Sequence, residues 1–370
     1  MTDSAELWSD PTFTHRLTEL TWMTALPVLL HLNERATAHP ARDWLTAWAP
    51  RFMPGQQVNA LVLGCGEGWL ERALAQHTWI AHIDACDVAA DAVARAEAVA
   101  SPKISYRVLD LNRDAIDGTY DVVIAHAVLH HVENLEHAFA EIERALKPDG
   151  TLLVNEYVGP KRFQYSDGIH AMLNELFRAL PPYLRRSTLT GQTYEEKLRP
   201  TVDEMIRNDP SEAVRADELM PMLGERFDVI DRRNLGGTLL QHLLYDVILN
   251  FRFEDTVARS LLEMMLAFEG ALVDERRLGS DFVIAAARKK GAAPLRERVV
   301  VLPPLPDEAK TWRPSRAPLL QILHHLAQLA HEPYRETLNP PAPHKAKYTG
   351  HDPHIRAMLD VMQRMYTARE

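Results

Sequence analysis

Cysteine is nearly absent. Only Cys65 and Cys86 occur among 370 residues, too few for a disulfide framework and not spaced as a metal-type C-x-x-C pair. A reducing, cytoplasmic setting is the expectation. Positive charge is in deficit: 41 Lys and Arg face 51 Asp and Glu, a formal net charge of -10. Such a surface lacks the cationic excess that neutralises phosphates, so no nucleic-acid partner is expected. Long apolar runs are missing too. The most lipid-like stretch, "TALPVLLHL", is short and holds Pro27, and the N-terminus "MTDSAELWSDPTFTHRLTEL" has no basic-then-apolar export pattern. No membrane span is expected. What is present, 46% apolar residues in a chain of this length, can bury at least one full core.

From Asn59 to Tyr157 short apolar runs alternate with helical periodicity, the pattern of a parallel sheet with crossover helices. The runs are "NALVLG", "IAHIDACD", "ISYRVLD", "YDVVIAH" and "TLLVNEY"; between them lie "WLERALAQH", "AADAVARAEAVA" and "NLEHAFAEIERALKPDG", the last ending in a Lys147, Pro148 and Gly150 stop signal. After Tyr157 the rhythm changes to an amphipathic helix over about Asp167 to Leu180, closed by Pro181 and Pro182. Two late strand-like runs, "RFDVIDRRNL" and "SDFVIAAARKK", flank the helical "TLLQHLLYDVILNF" and "VARSLLEMMLAFEGALV" and would complete a seven-stranded sheet. The expected organisation is an N-terminal helical segment (1–55), an α/β core (56–157), a helical cap insertion (158–225), the remainder of the core (226–290) and a Pro-rich linker with helical extension (291–370).

"LVLGCGEGWL" places a strand, a glycine elbow and a helix start in ten residues. Glycines at such an elbow bring backbone N–H groups and a helix N-terminus against a ligand, because no side chain blocks the approach. Gly64, Gly66 and Gly68 follow G-x-G-x-G rather than the dinucleotide spacing G-x-G-x-x-G. Asp87 closes the second run about twenty residues on, where a carboxylate can accept both hydroxyls of a ribose.

As an ordered set, "LVLGCGEG", "CDVA", "VLDLN" and "YDVVIAHAVLHHVENLEHAFAEIERALKPDGTLLVNEYVG" resemble the class I S-adenosylmethionine-dependent methyltransferases of small-molecule type, over roughly Asn59 to Gly159. The resemblance implies a Rossmann-like doubly wound seven-stranded α/β sheet that binds S-adenosylmethionine and releases S-adenosylhomocysteine. It implies that Gly64, Gly66 and Gly68 hold the methionine part, Asp87 the ribose, Asp110 and Leu111 the adenine, and the His126 backbone the methionine amino end, with Cys65 and Val88 also at the cofactor. Many members carry an acid two places before the first glycine; Val62 stands there in this chain, with Glu67 nearby as a candidate substitute.

Methyl transfer needs an aligned acceptor, and a hydroxyl or ammonium acceptor also needs a base. His131, with His130 as substitute and Glu156 as orienter, are the candidates; the other reading is that the histidines only shape the loop and cap the next helix. Tyr157, Arg162, Gln164 and Tyr165 follow the last parallel strand and are read as a lid contacting the acceptor, or else as a turn anchored by Pro160. Adjacent histidines do not easily ligate one ion, so no metal is expected, nor at the C-terminal histidines His324, His325, His331, His344, His351 and His354, which lack a ligand spacing. The expected acceptor is a small metabolite or natural-product intermediate. A peptide or protein substrate docked on the C-terminal extension, or a catalytically silent partner protein, are the rival readings, and the apolar helices could bury a homodimer contact.

Overall fold

The computed structural model describes residues 4–13, 20–252, 254–295 and 352–368. Seven strands form one mixed sheet in the order β3-β2-β1-β4-β5-β7-β6. The five early runs become β1 (Val58–Leu63), β2 (Ile80–Asp87), β3 (Ile104–Val108), β4 (Tyr120–His126) and β5 (Leu146–Tyr157), all parallel to one another. The late runs become β6 (Phe227–Gly236) and β7 (Phe282–Lys289), with β7 antiparallel between β5 and β6. This is the doubly wound seven-stranded architecture that the sequence pattern implied. β1 and β4 are buried on both faces, which is why they read as continuous apolar runs. Strand order reverses between them, and the crevice at their carboxyl ends is where open sheets of this kind bind ligands.

The helices are α1 (Ser4–Ser9), α2 (Leu26–Thr37), α3 (Trp69–Leu74), α4 (Ala90–Glu97), α5 (Leu135–Ala145), α6 (Asp167–Ala179), α7 (Val202–Asn208), α8 (Leu219–Arg226), α9 (Leu240–Leu244), α10 (Thr256–Asp274) and α11 (Pro353–Thr367). In α5, Leu135, Ala138, Phe139 and Ile142 repeat at helical spacing and are buried with Leu219 and Leu223 of α8 against one sheet face. On the other face, Val28 of α2, Leu176 of α6, Phe268 of α10 and Met358 of α11 share a core with Val62, Ile83 and Ile124 of the sheet. Segments separated in sequence as insertion, extension and core therefore bury one another. Among the described residues no helix is long and apolar enough to cross a membrane.

Three local expectations are corrected. α5 ends at Ala145, and the Lys147–Gly150 stretch already belongs to β5. Within the segment read as N-terminal helical (1–55), Trp44–Trp48 form a π turn and Ala49–Phe52 a 3-10 turn rather than an α-helix. "TLLQHLLYDVILNF" breaks after Leu244, because Asp246 turns left-handed (φ 61) to bring its carboxylate to the loop after α6. There it accepts hydrogen bonds from Ser187 Oγ at 2.6 Å, the Thr188 hydroxyl at 2.8 Å, the Leu189 N–H at 3.0 Å and Tyr194 Oη at 2.9 Å. Several bonds to one carboxylate outweigh the helical propensity of the run. Most of the linker read from Gly291 onward, and the histidines at 324, 325, 331, 344 and 351, lie outside the described residues.

Candidate active site

The elbow after β1 holds all three glycines in the left-handed region, with φ of 68, 48 and 77 at Gly64, Gly66 and Gly68. They differ in what a side chain would meet. A Cβ on Gly64 would lie 2.5 Å from Val128 Cγ2, and one on Gly68 2.3 Å from Tyr106 Oη, whereas one on Gly66 would meet nothing within 4 Å. Gly64 and Gly68 therefore permit close packing, and Gly66 faces open space. Cys65 is buried, its N–H bonded to the Cys86 carbonyl, and burial pushes its thiol far up, so it packs rather than reacts.

Asp87, at the end of β2, accepts the Gly66 N–H at 2.8 Å on Oδ2 and the Ala89 N–H at 2.9 Å on Oδ1. Burial raises its carboxyl above the usual range even though those amide bonds oppose the shift. Val88 beside it is half-buried. At the exit of β3, Asp110 Oδ1 accepts from the Asn112 backbone and side chain at 2.9 and 3.0 Å, and Leu111 packs beneath. Asn112 in turn accepts the Glu133 and Asn134 N–H groups, tying this exit to the start of α5. His126, ending β4, lies between the rings of Trp44 and Trp69; burial pushes it down to about 4, and Nδ1 has no hydrogen-bond partner among the described residues. The ends of four adjacent strands thus converge on the crevice that Gly66 faces.

A 3-10 turn, Leu129–His131, follows β4. Buried Glu156 of β5 organises it: Oε1 accepts the Val128 and Leu129 N–H groups, both at 2.8 Å, and Oε2 bonds His130 Nδ1 at 2.7 Å. Burial disfavours a charged His130, but the Glu156 hydrogen bond and charge outweigh it and hold its pKa above the ordinary value. His131 is the opposite case. Burial and the neighbouring His130 drive it well below 6.5, so it is neutral, with Nδ1 3.1 Å from Ser211 Oγ. Trp8 of α1 meets the His131 ring edge-on at 4.9 Å, and Tyr157 lies 6.2 Å from the His130 ring.

The lid read from sequence is a clamp in the structure. Arg162 donates to the carbonyls of Asp209, Pro210 and Glu212 at 3.4, 2.6 and 2.9 Å, fixing the turn before α8 rather than presenting a guanidinium to a ligand. Gln164 donates to the Arg162 and Pro200 carbonyls, both at 2.8 Å. Tyr165 is 1% exposed and packs against His242, ring centroids 4.3 Å apart and tilted by 35°. These three are engaged in holding the insertion; Tyr157 alone of the four borders the histidine pair.

Sequence reading missed what the clamp delivers. Asp209, Ser211 and Glu212 come to the histidines from a turn about eighty residues away, and "NDPSEA" signals only that a turn exists. It also missed Glu71 in α3, fully buried with neither carboxylate oxygen hydrogen-bonded among the described residues and pushed up to about 8 by burial. Glu67, the candidate substitute for an acid at Val62, instead pairs with Arg95 at 2.8 Å on the exposed side of the elbow.

Residues 61–154 match the family model described as a methyltransferase domain. Among curated proteins, the malonyl-acyl-carrier-protein O-methyltransferase of Bacillus cereus is 28% identical over 125 residues, 34% of this chain and 46% of its own length. An uncharacterized methyltransferase of Mycobacterium tuberculosis is 31% identical over 102 residues, 27% of this chain and 51% of that protein. The chain spans about half the length of the curated relatives it matches. Among solved structures, it is similar to an S-adenosylmethionine-dependent methyltransferase from Mesorhizobium loti, at 18% identity and a TM-score of 0.38, covering 66% of this chain and 98% of that one. It is also similar to the plantazolicin methyltransferase BpumL in complex with SAH, at 14% identity and a TM-score of 0.39, covering 77% and 93%.

Proposed function

From the match of residues 61–154 to a methyltransferase domain, we propose that the protein is a class I S-adenosylmethionine-dependent enzyme that methylates an oxygen or nitrogen of a small metabolite or natural-product intermediate by in-line displacement. One observation carries the reading: Gly66 alone of the elbow glycines leaves open space where a side chain would be, and Asp87 on the next strand fixes its N–H. The residues present fit S-adenosylmethionine. Bare backbone lies at the elbow (Gly64 to Gly68), the Asp87 carboxylate beside Val88 can accept sugar hydroxyls, Asp110 and Leu111 border the place for an adenine, and the His126 backbone stands at the methionine end. When bound, that cofactor supplies a methyl group already activated on a sulfonium.

The chain's own work is alignment, dryness and proton transfer. Holding the acceptor in line at near-attack distance can contribute up to about 7–11 kcal/mol. His130, His131 and Tyr157 form the acceptor side, and the Trp8 ring packed edge-on against His131 favours a small acceptor over an extended peptide. His131, neutral through burial and held at Nδ1 by Ser211, can take a proton at Nε2, an effect worth about a hundred- to ten-thousand-fold. Glu156 and His130 are positioning groups in this scheme. The O-methyltransferase named in the Bacillus cereus relative supports oxygen as the acceptor atom.

Calorimetric titration with S-adenosylhomocysteine tests the assignment. Asp87→Ala should weaken binding strongly, while His131→Ala should leave it nearly intact and slow methyl transfer from labelled donor. Equal affinity in the native protein and the Asp87 variant would refute the site.

A further inference from the structure

We propose that His130, His131 and Glu212 bind one divalent transition-metal ion, of the zinc type, on the acceptor side of the crevice. One ligand atom from each of these residues lies within 4.8 Å of the others, and among the described residues this is the one such group. Adjacency in sequence argues against two histidines sharing an ion, but the 3-10 turn places their ring centroids 4.1 Å apart. A third ligand, from the turn before α8, was not visible in the sequence.

The outer partners are those a metal histidine needs. His130 gives Nδ1 to Glu156 at 2.7 Å, which turns Nε2 toward Glu212 Oε1 at 3.8 Å. His131 gives Nδ1 to Ser211 Oγ at 3.1 Å, and Ser211 donates to Asp209 Oδ1 at 2.6 Å, so its Nε2 is the nitrogen left for a ligand. Carboxylate or hydroxyl partners on the far ring nitrogen fix tautomer and orientation at metal sites. Charge agrees. Glu156, Glu212 and Asp209 bring three carboxylates around the pair against the single guanidinium of Arg162, whose hydrogen bonds go to backbone carbonyls, and Asp209 Oδ2 is buried with no hydrogen-bond partner among the described residues. A dication offsets that excess. Tetrahedral bonds of about 2.0–2.2 Å separate ligand atoms by roughly 3.3–3.6 Å, so binding requires the three ligand atoms to draw together from their present spacing.

Three protein ligands leave a fourth position open, the pattern of catalytic rather than structural sites. The inference rests on the proposed function for its use, not for binding itself. The acceptor class it fits is an oxygen acid, a hydroxyl or carboxylate whose oxygen ligates the ion; a hydroxyl proton leaves to water on ligation, and His131 then orients the acceptor through the ion rather than taking the proton.

The test uses the full chain, stripped with a chelator and titrated separately with Zn2+, with Co2+ and with S-adenosylhomocysteine. One equivalent of Zn2+ and tetrahedral Co2+ absorption bands are expected. Glu212→Gln and His131→Asn should each weaken Zn2+ binding at least about a hundredfold, and the outer-partner change Glu156→Gln by about 10–100-fold, with S-adenosylhomocysteine affinity retained as the folding control. Absence of Zn2+ binding in a chain that binds S-adenosylhomocysteine overturns the metal and spares the methyltransferase reading. Zn2+ binding indifferent to both ligand variants also overturns it and moves the metal to other histidines. Zn2+ binding at these ligands without any S-adenosylhomocysteine binding supports the metal and refutes the methyltransferase reading.

Discussion

Alanine at each of two elbow glycines should separate packing from ligand binding. Gly64 and Gly66 share a left-handed backbone, φ 68 and 48, so either substitution costs about 1–2 kcal/mol in backbone strain. Only at Gly64 does the new methyl also collide, 2.5 and 2.6 Å from two carbons of Val128, which adds about 1–3 kcal/mol of overpacking. Cooperative unfolding of 370 residues at about 2 cal/mol/K each has an entropy near 0.8 kcal/mol/K. Gly66→Ala should then lower Tm by roughly 1–3 °C and Gly64→Ala by roughly 3–6 °C. Binding should rank the other way. The Gly66 methyl enters the space assigned to the cofactor, so S-adenosylhomocysteine should bind at least about tenfold more weakly, a loss of about 1.4 kcal/mol, and protect less against melting. Thermal melts with and without the ligand, paired with calorimetry, read both quantities. Native affinity in Gly66→Ala, or a melting point as low as that of Gly64→Ala, would refute the division of labour within the elbow.

Two further outcomes concern titration. In metal-free protein, Glu156→Gln keeps an acceptor for the Val128 and Leu129 N–H groups but removes the charge that holds His130 up, so the His130 pKa, followed by ring-proton NMR, should fall below 6.5 as burial takes over. Because that raised pKa stabilises the fold below the unfolded value and the benefit is lost as pH rises through the folded one, the variant's deficit in urea unfolding should be larger at pH 6 than at pH 9. His242 is pushed down to about 3, by burial and then by the Lys197 charge, and its Nε2 has no hydrogen-bond partner among the described residues. Its neutral form carries a penalty that grows as pH falls below 6.5, about 2 kcal/mol at pH 5, so His242→Phe should raise stability at pH 5 relative to native and lose that advantage by pH 8. An equal effect at both pH values would show that packing against Tyr165, not protonation, governs the site.

The two glycine roles illustrate what a sequence can and cannot say. G-x-G-x-G announces a tight turn that needs bare backbone, yet nothing local tells Gly64, which faces Val128, from Gly66, which faces open space. The same holds for Arg162. Its place after the last parallel strand suggested a ligand contact, and its bonds to carbonyls at 209, 210 and 212 make it a clamp.

By itself the sequence determined the sheet, its crossover helices and the elbow, since strand and helix periods and the left-handed demand on glycine are properties of neighbouring residues. Tertiary structure alone decided that α9 breaks at Asp246, that His131 is neutral while His130 is held up, and that Glu212 reaches the histidines. Those outcomes depend on burial and on bonds between residues far apart in the chain, and such bonds leave no period in the sequence.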